Sequence, residues 1–215
     1  MPIEALRYRV VAADDHSLIR AGIRSVLDSL HNFTLVAEAS SWDEVFHLLQ
    51  TQPVDILIAD LSMPGPGGIE TIKQLKEQFP NLKILVLSMH PEHLYAVRCL
   101  RAGASGYLNK EEDLDQLQQA LQTIASNQPF LTPKVQQLLL DASQATEPHH
   151  NLSDREFEIF LQLAQGKTTG EIAQSTRLSV KTISTYRRRI LDKLGLQTNA
   201  DIIKYARAHR LTAEL

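Results

Sequence analysis

Two hydrophobic periods alternate along the first 126 residues. Short apolar runs rich in β-branched residues predict strands, and amphipathic segments with apolar positions three and four residues apart predict helices. The predicted strands are Tyr8–Ala13, Thr34–Ala37, Val54–Ala59, Lys83–Ser88 and Gly106–Leu108. The predicted helices are His16–Leu30, Ser41–Gln50, Gly68–Phe79, Pro91–Ala102 and Glu112–Ser126. Strands that alternate with helices in this way predict an α/β domain whose parallel sheet is covered on both faces.

The pattern changes after residue 126. Residues 127–148 are polar and interrupted by prolines, which is typical of a linker, with a short helix inside it. From Leu152 onward only helical patterns remain: Asp154–Gln165, Thr169–Thr176, Val180–Leu194 and Ala200–Ala208. Short helices joined by tight turns predict an all-α four-helix module over 149–215, with a helix-turn-helix motif at about 169–188. We therefore expect domains at 1–126 and 149–215, joined by a linker at 127–148.

Length and composition agree with two globular domains. The chain has 215 residues and a single cysteine, Cys99, which cannot form an intramolecular disulfide, so a reducing, cytoplasmic setting is expected. No apolar run approaches the roughly 20 residues of a membrane span. The N-terminal segment has no apolar stretch of the kind found in signal peptides. We expect no association with a membrane.

Charge is distributed unevenly. Residues 1–148 contain 11 Lys and Arg against 18 Asp and Glu, a net charge of −7. Residues 149–215 contain 11 against 7, a net charge of +4. This asymmetry indicates two modules, the second with a polyanionic partner, or it reflects surface composition alone.

Carboxylates follow two of the predicted strands. Asp14 and Asp15 come directly after the first strand and Asp60 after the third. In a doubly wound sheet of order 2-1-3-4-5 these strands are neighbours, and their carboxyl ends form the ligand-binding crevice. Carboxylates about 4 Å apart repel by roughly 4 kcal/mol per pair at an effective dielectric of 20, so the cluster favours a bound Mg²⁺. Alternatively, Asp15 is only a helix N-cap and Asp60 only a turn former.

Two further polar residues end the remaining strands of this edge. Ser88 ends the fourth predicted strand, and Lys110 follows the fifth. A hydroxyl and an ammonium beside metal-bound carboxylates form a phosphoryl-binding site, in which a carboxylate can act as the nucleophile.

The longest C-terminal helix has two contrasting faces. Ile183, Ile190 and Leu194 form an apolar stripe, flanked by Val180, Tyr186 and Leu191. The opposite face and its edges are polar or cationic: Lys181, Thr182, Ser184, Thr185, Arg188 and Arg189. Such a face suits the DNA major groove, although solvated helices show the same pattern. Arg187 points towards the apolar stripe, and we expect it to pair at the border of that stripe.

The first module resembles the receiver domain of two-component response regulators. The resemblance rests on the acidic pair, on DLSMPGPGG with Asp60, on VLS ending in Ser88, and on GYLNK ending in Lys110. It implies a flavodoxin-like (βα)5 fold. It also implies that Asp60 accepts a phosphoryl group from the phosphohistidine of a sensor histidine kinase.

The same resemblance assigns the remaining roles at this edge of the sheet. It implies that Lys110 and Ser88 bind the phosphoryl oxygens and that Ser88 and Tyr107 form the switch. The implied metal site holds Mg²⁺ with Asp15, Asp60 and the backbone carbonyl of Ser62, and Asp14 assists through water. Asn109 is a polar residue at a position that is often aliphatic, and the sequence gives it no role.

The second module is similar to the DNA-binding domain of NarL/FixJ (LuxR-type) regulators. LSDRE, GEIA and SVKTISTY follow the family pattern, with Thr169, Ile183 and Tyr186 departing from its usual Asn, Val and His. The similarity implies a homodimer on double-stranded promoter DNA, with Ala200–Ala208 as the candidate dimer helix. Ser184, Thr185 and Arg188 are the expected base contacts. The expected phosphate contacts are Lys181, Thr182 and Arg189.

Together these features predict a phosphorylation-regulated, DNA-binding transcriptional regulator. The alternative is a constitutive DNA-binding regulator whose receiver serves only for dimerisation. We expect no turnover enzyme beyond self-phosphorylation and slow self-dephosphorylation, because a haloacid-dehalogenase phosphatase needs a second Asp where this chain has Ser62. The adjacent His149 and His150 suggest a metal site or a pH sensor, but histidines in a polar segment are usually solvated, and we expect these two to be solvated.

Overall fold

The computed structural model describes residues 7–65, 67–144 and 147–212. Residues 1–6 and 213–215 at the outer ends of the predicted domains, residue 66 within the motif DLSMPGPGG, and residues 145–146 of the predicted linker lie outside these ranges. The chain divides into two compact units, Met1–Leu139 and Leu140–Leu215. No helix in the described ranges combines the length and apolar character that crossing a bilayer requires.

The first unit is a five-stranded parallel sheet with the predicted order β2-β1-β3-β4-β5. Its strands are β1 Tyr8–Ala13, β2 Phe33–Ala39, β3 Ile56–Ala59, β4 Lys83–Ser88 and β5 Gly106–Asn109. Its helices are α1 Ser17–Ser29, α2 Trp42–Thr51, α3 Ile69–Gln78, α4 Glu92–Arg101 and α5 Leu114–Ala125. The helix α6 Pro133–Gln144 follows, and the division between the units falls within it.

Alternation along the strands builds a core on both faces of the sheet. Val10, Ile58 and Leu85 lie in one apolar cluster with Ile23 of α1 and Leu121 of α5. The intervening strand residues are buried as well, and β3 is buried throughout. This continuous burial explains why the strand sequences are apolar runs rather than alternations of apolar and polar residues.

Two local expectations are wrong. The N-cap of α1 is His16, whose side chain makes no capping hydrogen bond, so Asp15 is not the N-cap. β3 begins at Ile56 rather than at Val54, because the ladder to β1 and β4 starts there, opposite Val10 and Lys83. Asp60 does take part in a turn, since its Oδ1 accepts a hydrogen bond of 3.1 Å from the backbone N–H of Ser62.

The loop between β3 and α3 packs against the only tryptophan of the chain, Trp42. The backbone N–H of Trp42 donates to the carbonyl of Pro64 at 2.9 Å. Gly65 has a φ of 113°, a conformation that L side chains rarely adopt. A Cβ on Gly67 would lie 2.6 Å from Trp42 Nε1. The loop that follows Asp60 therefore needs its glycines to pass this indole ring.

Residues that follow α5 still pack onto the first unit. Phe130 forms an isolated parallel bridge with Gly106, and its N–H donates to the Ser105 carbonyl at 2.9 Å. The Phe130 ring joins the apolar cluster beneath α5, and Val135 is fully buried. The start of the predicted linker is therefore packed structure.

The described residues of the second unit form four α-helices besides the end of α6. They are α7 Asp154–Ala164, α8 Thr169–Thr176, α9 Val180–Leu194 and α10 Asn199–Ala208. A 3-10 helix, Pro148–Asn151, precedes them and was not predicted. The expectation that both linker histidines are solvated is wrong for His149, which is 7% exposed, whereas His150 is exposed.

Hydrogen-bonded caps fix where these helices begin. The predicted capping box of Ser153 and Glu156 is present at α7, and Ser179 caps α9 as predicted, accepting from the Thr182 N–H at 3.0 Å. Thr168 and Thr198 begin α8 and α10 with capping boxes of the same kind. Each box satisfies otherwise unpaired N–H groups of a first turn.

Candidate functional site

The sheet brings the predicted carboxylates to one edge. Ala13 of β1 pairs with Ala59 of β3, and Asp14 and Asp60 follow them directly. The Asp60 N–H donates to the Ala13 carbonyl at 2.9 Å, which fixes the two strand ends side by side. Asp14 and Asp60 are 1% and 2% exposed, while the Asp15 side chain remains 36% exposed. The edge is thus a crevice with two buried carboxylates and one at its rim.

Lys110 joins the two buried carboxylates. Its Nζ lies 2.6 Å from Asp14 Oδ2 and 2.8 Å from Asp60 Oδ2, and its side chain is only 3% exposed. Its position is set by its N–H, which donates to the Ser88 carbonyl at 3.0 Å. Burial acts to lower the pKa of Lys110, but the attraction of Asp14 and Asp60 outweighs it and raises this pKa. Lys110 is therefore a cation at neutral pH, in direct contact with Asp60.

The donor set fits a hard divalent cation. Three carboxylates and one ammonium leave a formal charge of −2, and the ligand atoms of Asp14, Asp15, His16 and Asp60 lie within 4.8 Å of one another. Asp14 Oδ2 is buried and accepts no hydrogen bond from the described residues beyond its ion pair with Lys110. Clustered carboxylates with uncompensated charge are compatible with Mg²⁺ binding.

Ser88 lies at the other side of the crevice. It is fully buried, and its Oγ accepts a hydrogen bond of 3.2 Å from the backbone N–H of His90. The His90 ring stacks on Tyr95 with a centroid separation of 4.3 Å, and its Nε2 lies 3.2 Å from Ser62 Oγ. Burial is the main cause that lowers the pKa of His90, which favours the neutral ring. His90 thus connects Ser88 with the loop after Asp60.

Tyr107 points inward and is held by the same loop. Its ring is fully buried, and its hydroxyl donates to the His90 carbonyl at 2.7 Å. Burial raises the pKa of Tyr107, so the phenol stays protonated. Asn109 also donates to the His90 carbonyl, at 3.4 Å, and its Oδ1 accepts from the Glu111 N–H at 2.9 Å. Asn109 therefore fastens the end of β5 to the β4–α4 loop, a role that its sequence position did not reveal.

The polar face of α9 is open to solvent. Lys181, Ser184, Thr185, Arg188 and Arg189 are all exposed. Thr182 is half-buried, and its hydroxyl lies 2.7 Å from Ser179 Oγ at the N-cap. Of the six predicted contacts, five lie together on an exposed helix face, and the sixth takes part in the cap.

The other face of α9 packs as predicted, with one exception. Ile183, Ile190 and Leu194 are buried, and Arg187 Nε donates to Asn199 Oδ1 of α10 at 2.6 Å, so this arginine pairs at the border of the core. Val180 is the exception: it is 52% exposed because it stands in the first turn, beyond the apolar stripe.

Two family models match the chain. Residues 10–122 match the response regulator receiver domain, and residues 150–206 match the bacterial regulatory proteins of the luxR family. The chain is a response regulator of the NarL/FixJ type. The receiver fold with the order 2-1-3-4-5 and the helical LuxR-type DNA-binding domain are both present, as predicted.

Relatives match this response regulator over nearly its whole length. It is 31% identical over 206 residues to the response regulator UvrY of Escherichia coli strain K12, covering 94% of each chain. It is 32% identical over 213 residues to the oxygen regulatory protein NreC of Staphylococcus carnosus, covering 94% of this chain and 98% of that one. The structure of RcsB from Salmonella enterica serovar Typhimurium bound to promoter rprA in the presence of phosphomimetic BeF3⁻ is similar, with a TM-score of 0.71, 30% identity and coverage of 93% and 98%.

The response regulator thus gathers its predicted receiver residues in one crevice. Asp14, Asp60 and Lys110 are in direct contact, and Ser88 and Tyr107 are joined to each other through His90. His90 was not among the predicted site residues. Its position two residues after Ser88, in the loop at the carboxyl end of β4, was the available signal.

Proposed function

We propose that this regulator accepts a phosphoryl group on Asp60 from the phosphohistidine of a sensor histidine kinase and that phosphorylation controls promoter binding by a dimer. The observation that supports this proposal most directly is the buried contact of Asp60 with Lys110, at a crevice that also holds Asp14 and Ser88. Such an arrangement places a nucleophilic carboxylate beside a cation that can neutralise phosphoryl oxygens.

In the proposed transfer, an oxygen of Asp60 attacks phosphorus. The new O–P bond forms as the P–N bond of the phosphohistidine breaks, and the electron pair of that bond returns to the donor imidazole. Lys110 then moves from ion-pairing the carboxylate to ion-pairing a phosphoryl oxygen. The Ser88 hydroxyl, which now accepts from the His90 N–H, donates to a second phosphoryl oxygen.

Asp14, Asp15, Asp60 and the backbone carbonyl of Ser62 would hold Mg²⁺, which supplies positive charge against the phosphoryl oxygens when bound. The same residues position the acceptor. Asp60 Oδ1 accepts from the Ser62 N–H, and its Oδ2 contacts Lys110, so the carboxylate cannot rotate freely. The protein thus presents one orientation of Asp60 to the donor.

Movement of Ser88 provides the proposed signal. Two hydrogen bonds hold the β4–α4 loop at His90. The backbone N–H of His90 donates to Ser88 Oγ, and the backbone carbonyl of His90 accepts from the Tyr107 hydroxyl. Drawing Ser88 Oγ towards a phosphoryl group breaks the first of these bonds. The loop then shifts, and the Tyr107 hydroxyl loses its partner, so the surface of α4 and β5 changes shape.

In the DNA-binding domain, we propose that α9 enters the major groove. Ser184, Thr185 and Arg188 would read bases, and Lys181 and Arg189 would contact phosphates. Thr182 would add a phosphate contact next to the N-terminus of the helix. Neighbours described as RcsB bound to a promoter and as two RcsB dimers on two parallel DNAs support DNA and a homodimer as partners.

The proposal also limits the chemistry and the place of action. The regulator catalyses only its own phosphorylation and a slow self-dephosphorylation, because no second acid follows Asp60 at the position of Ser62. It works in the cytoplasm, where promoter DNA is found.

Intact mass and DNA binding test this function together. The full-length protein, incubated with a small acyl phosphate and Mg²⁺, should gain one phosphoryl group and bind promoter DNA more tightly. Asp60→Asn should do neither. A phosphoryl gain by Asp60→Asn at the wild-type rate contradicts the acceptor assignment. Equal DNA affinity with and without the phosphoryl group supports constitutive binding instead.

A further inference from the structure

A second group of metal-ligating side chains lies in the DNA-binding unit. Glu147 precedes the 3-10 helix, His149 lies within it, and His209 follows the end of α10. One ligand atom from each lies within 4.8 Å of the other two. Glu147 Oε2 is 2.5 Å from His209 Nδ1 and 3.8 Å from His149 Nδ1. Residues distant in sequence thus converge on one carboxylate oxygen.

Packing holds the two imidazoles in place. The His149 side chain is 9% exposed and lies edge-on to Tyr205, whose hydroxyl is 3.2 Å from His149 Nδ1. The His209 ring packs beside both of these rings. Its centroid is 4.2 Å from the Tyr205 centroid and 5.6 Å from the His149 centroid. Ligands whose rotamers are fixed by neighbours lose little entropy when a metal binds.

We propose that Glu147, His149 and His209 bind a late first-row divalent cation, with Zn²⁺ the foremost candidate. Two imidazole nitrogens and one carboxylate oxygen form a ligand set that Zn²⁺ accepts, leaving a fourth position for water or for the Tyr205 phenol. At a Zn–ligand distance of about 2.0 Å, neighbouring ligand atoms stand about 3.3 Å apart. The distance between Glu147 Oε2 and His209 Nδ1 would therefore lengthen from 2.5 Å to about 3.3 Å when the ion binds.

The proposed site differs in ligand chemistry from the receiver crevice. That crevice is built mainly of carboxylates, which suit Mg²⁺, whereas imidazole nitrogens favour Zn²⁺ and its neighbours in the periodic table. The two sites should therefore take different metals in one chain. Zinc would fasten the segment that enters the DNA-binding unit to its last helix. Because it binds the folded unit, it should raise the temperature at which that unit unfolds.

Zinc binding to the full-length, metal-stripped protein tests the site. Excess Mg²⁺ is added to compete with Zn²⁺ for the receiver crevice, and a chromogenic chelator competes for Zn²⁺ at the proposed site. We expect one Zn²⁺ per chain. His209→Ala and Glu147→Gln should each weaken its binding at least about tenfold. His31→Ala is the control, because this exposed histidine lies in the first unit, outside the cluster, and it should leave the affinity unchanged.

Cobalt gives a readout that misfolding cannot imitate. Co²⁺ in place of Zn²⁺ should produce the absorption bands of a four-coordinate site with nitrogen ligands. These bands should be retained in His31→Ala and lost in Glu147→Gln, a variant of nearly identical shape whose folding is checked by circular dichroism. Absence of stoichiometric zinc binding overturns the proposal. Binding that survives both Glu147→Gln and His209→Ala, or that is lost in His31→Ala, overturns it as well.

Discussion

Replacing Lys110 with methionine should destabilise the receiver strongly. Met keeps the length of the side chain but removes the charge between Asp14 and Asp60. At 2.6 and 2.8 Å and an effective dielectric of 20, each contact attracts by about 6 kcal/mol, most of which offsets the cost of burying the three groups. Leaving two carboxylates buried without their cation should cost about 3–5 kcal/mol of unfolding free energy.

Urea unfolding in the presence of a metal chelator measures this loss. Fluorescence of Trp42, the only tryptophan, reports the receiver unit alone and avoids mixing the two units. The control is Lys73→Met, because Lys73 is 39% exposed and lies 3.5 Å from Glu70, so it should lose less than about 1 kcal/mol. Mg²⁺ should restore part of the stability of Lys110→Met. A variant as stable as wild type without Mg²⁺ would refute the reasoning.

Three further changes test other parts of the molecule. Burial alone would raise the pKa of Glu156, but Lys193 and the Ser153 cap outweigh it and lower this pKa below the ordinary value of 4.5. The stability that the ionised Glu156 gives to the second unit is therefore present above pH 4.5 and is lost as the pH falls. Glu156→Gln should cost the second unit about 1–2 kcal/mol at pH 7 and flatten its acid unfolding, as followed by circular dichroism. Gly67→Ala should cost the first unit about 1–3 kcal/mol in urea, because the new Cβ meets an indole ring 2.6 Å away; unchanged stability would contradict that contact. Arg188→Ala should weaken binding to specific DNA by about 1–3 kcal/mol in anisotropy titrations, and an equal loss on unrelated DNA would make this residue a phosphate contact.

Much of the receiver crevice could be predicted from sequence, because strand order and strand ends determine it. Apolar runs located β1, β3 and β4, and the residue that ends or directly follows each run lies at the carboxyl edge of the sheet. Asp14 and Asp60 follow β1 and β3, and Ser88 ends β4, so these side chains share that edge whatever conformation the loops adopt. The face of α9 could be predicted in the same way, since a helical period of 3.6 residues fixes which side chains share a side.

Contacts that depend on loops or on distant segments could not be predicted. The role of Asn109 depends on the backbone of the β4–α4 loop, which no period describes. His149 looked solvated because its neighbours in sequence are polar, yet the residues that bury it, Tyr205 and His209, come from the far end of the unit. Val180 was placed beside the core because a helical projection ignores where the helix begins.

The bridge between Phe130 and Gly106 bears on how the receiver avoids self-association. β5 is an outermost strand, and an uncovered strand edge is a template on which another chain can add by backbone pairing. Phe130 takes up part of that edge through its hydrogen bond to the Ser105 carbonyl, and it seals the apolar cluster beneath. A receiver shortened to residue 126 would expose both at once. Aggregation, rather than loss of phosphoryl chemistry, is the defect we expect of such a fragment, and one that ends after α6 should escape it.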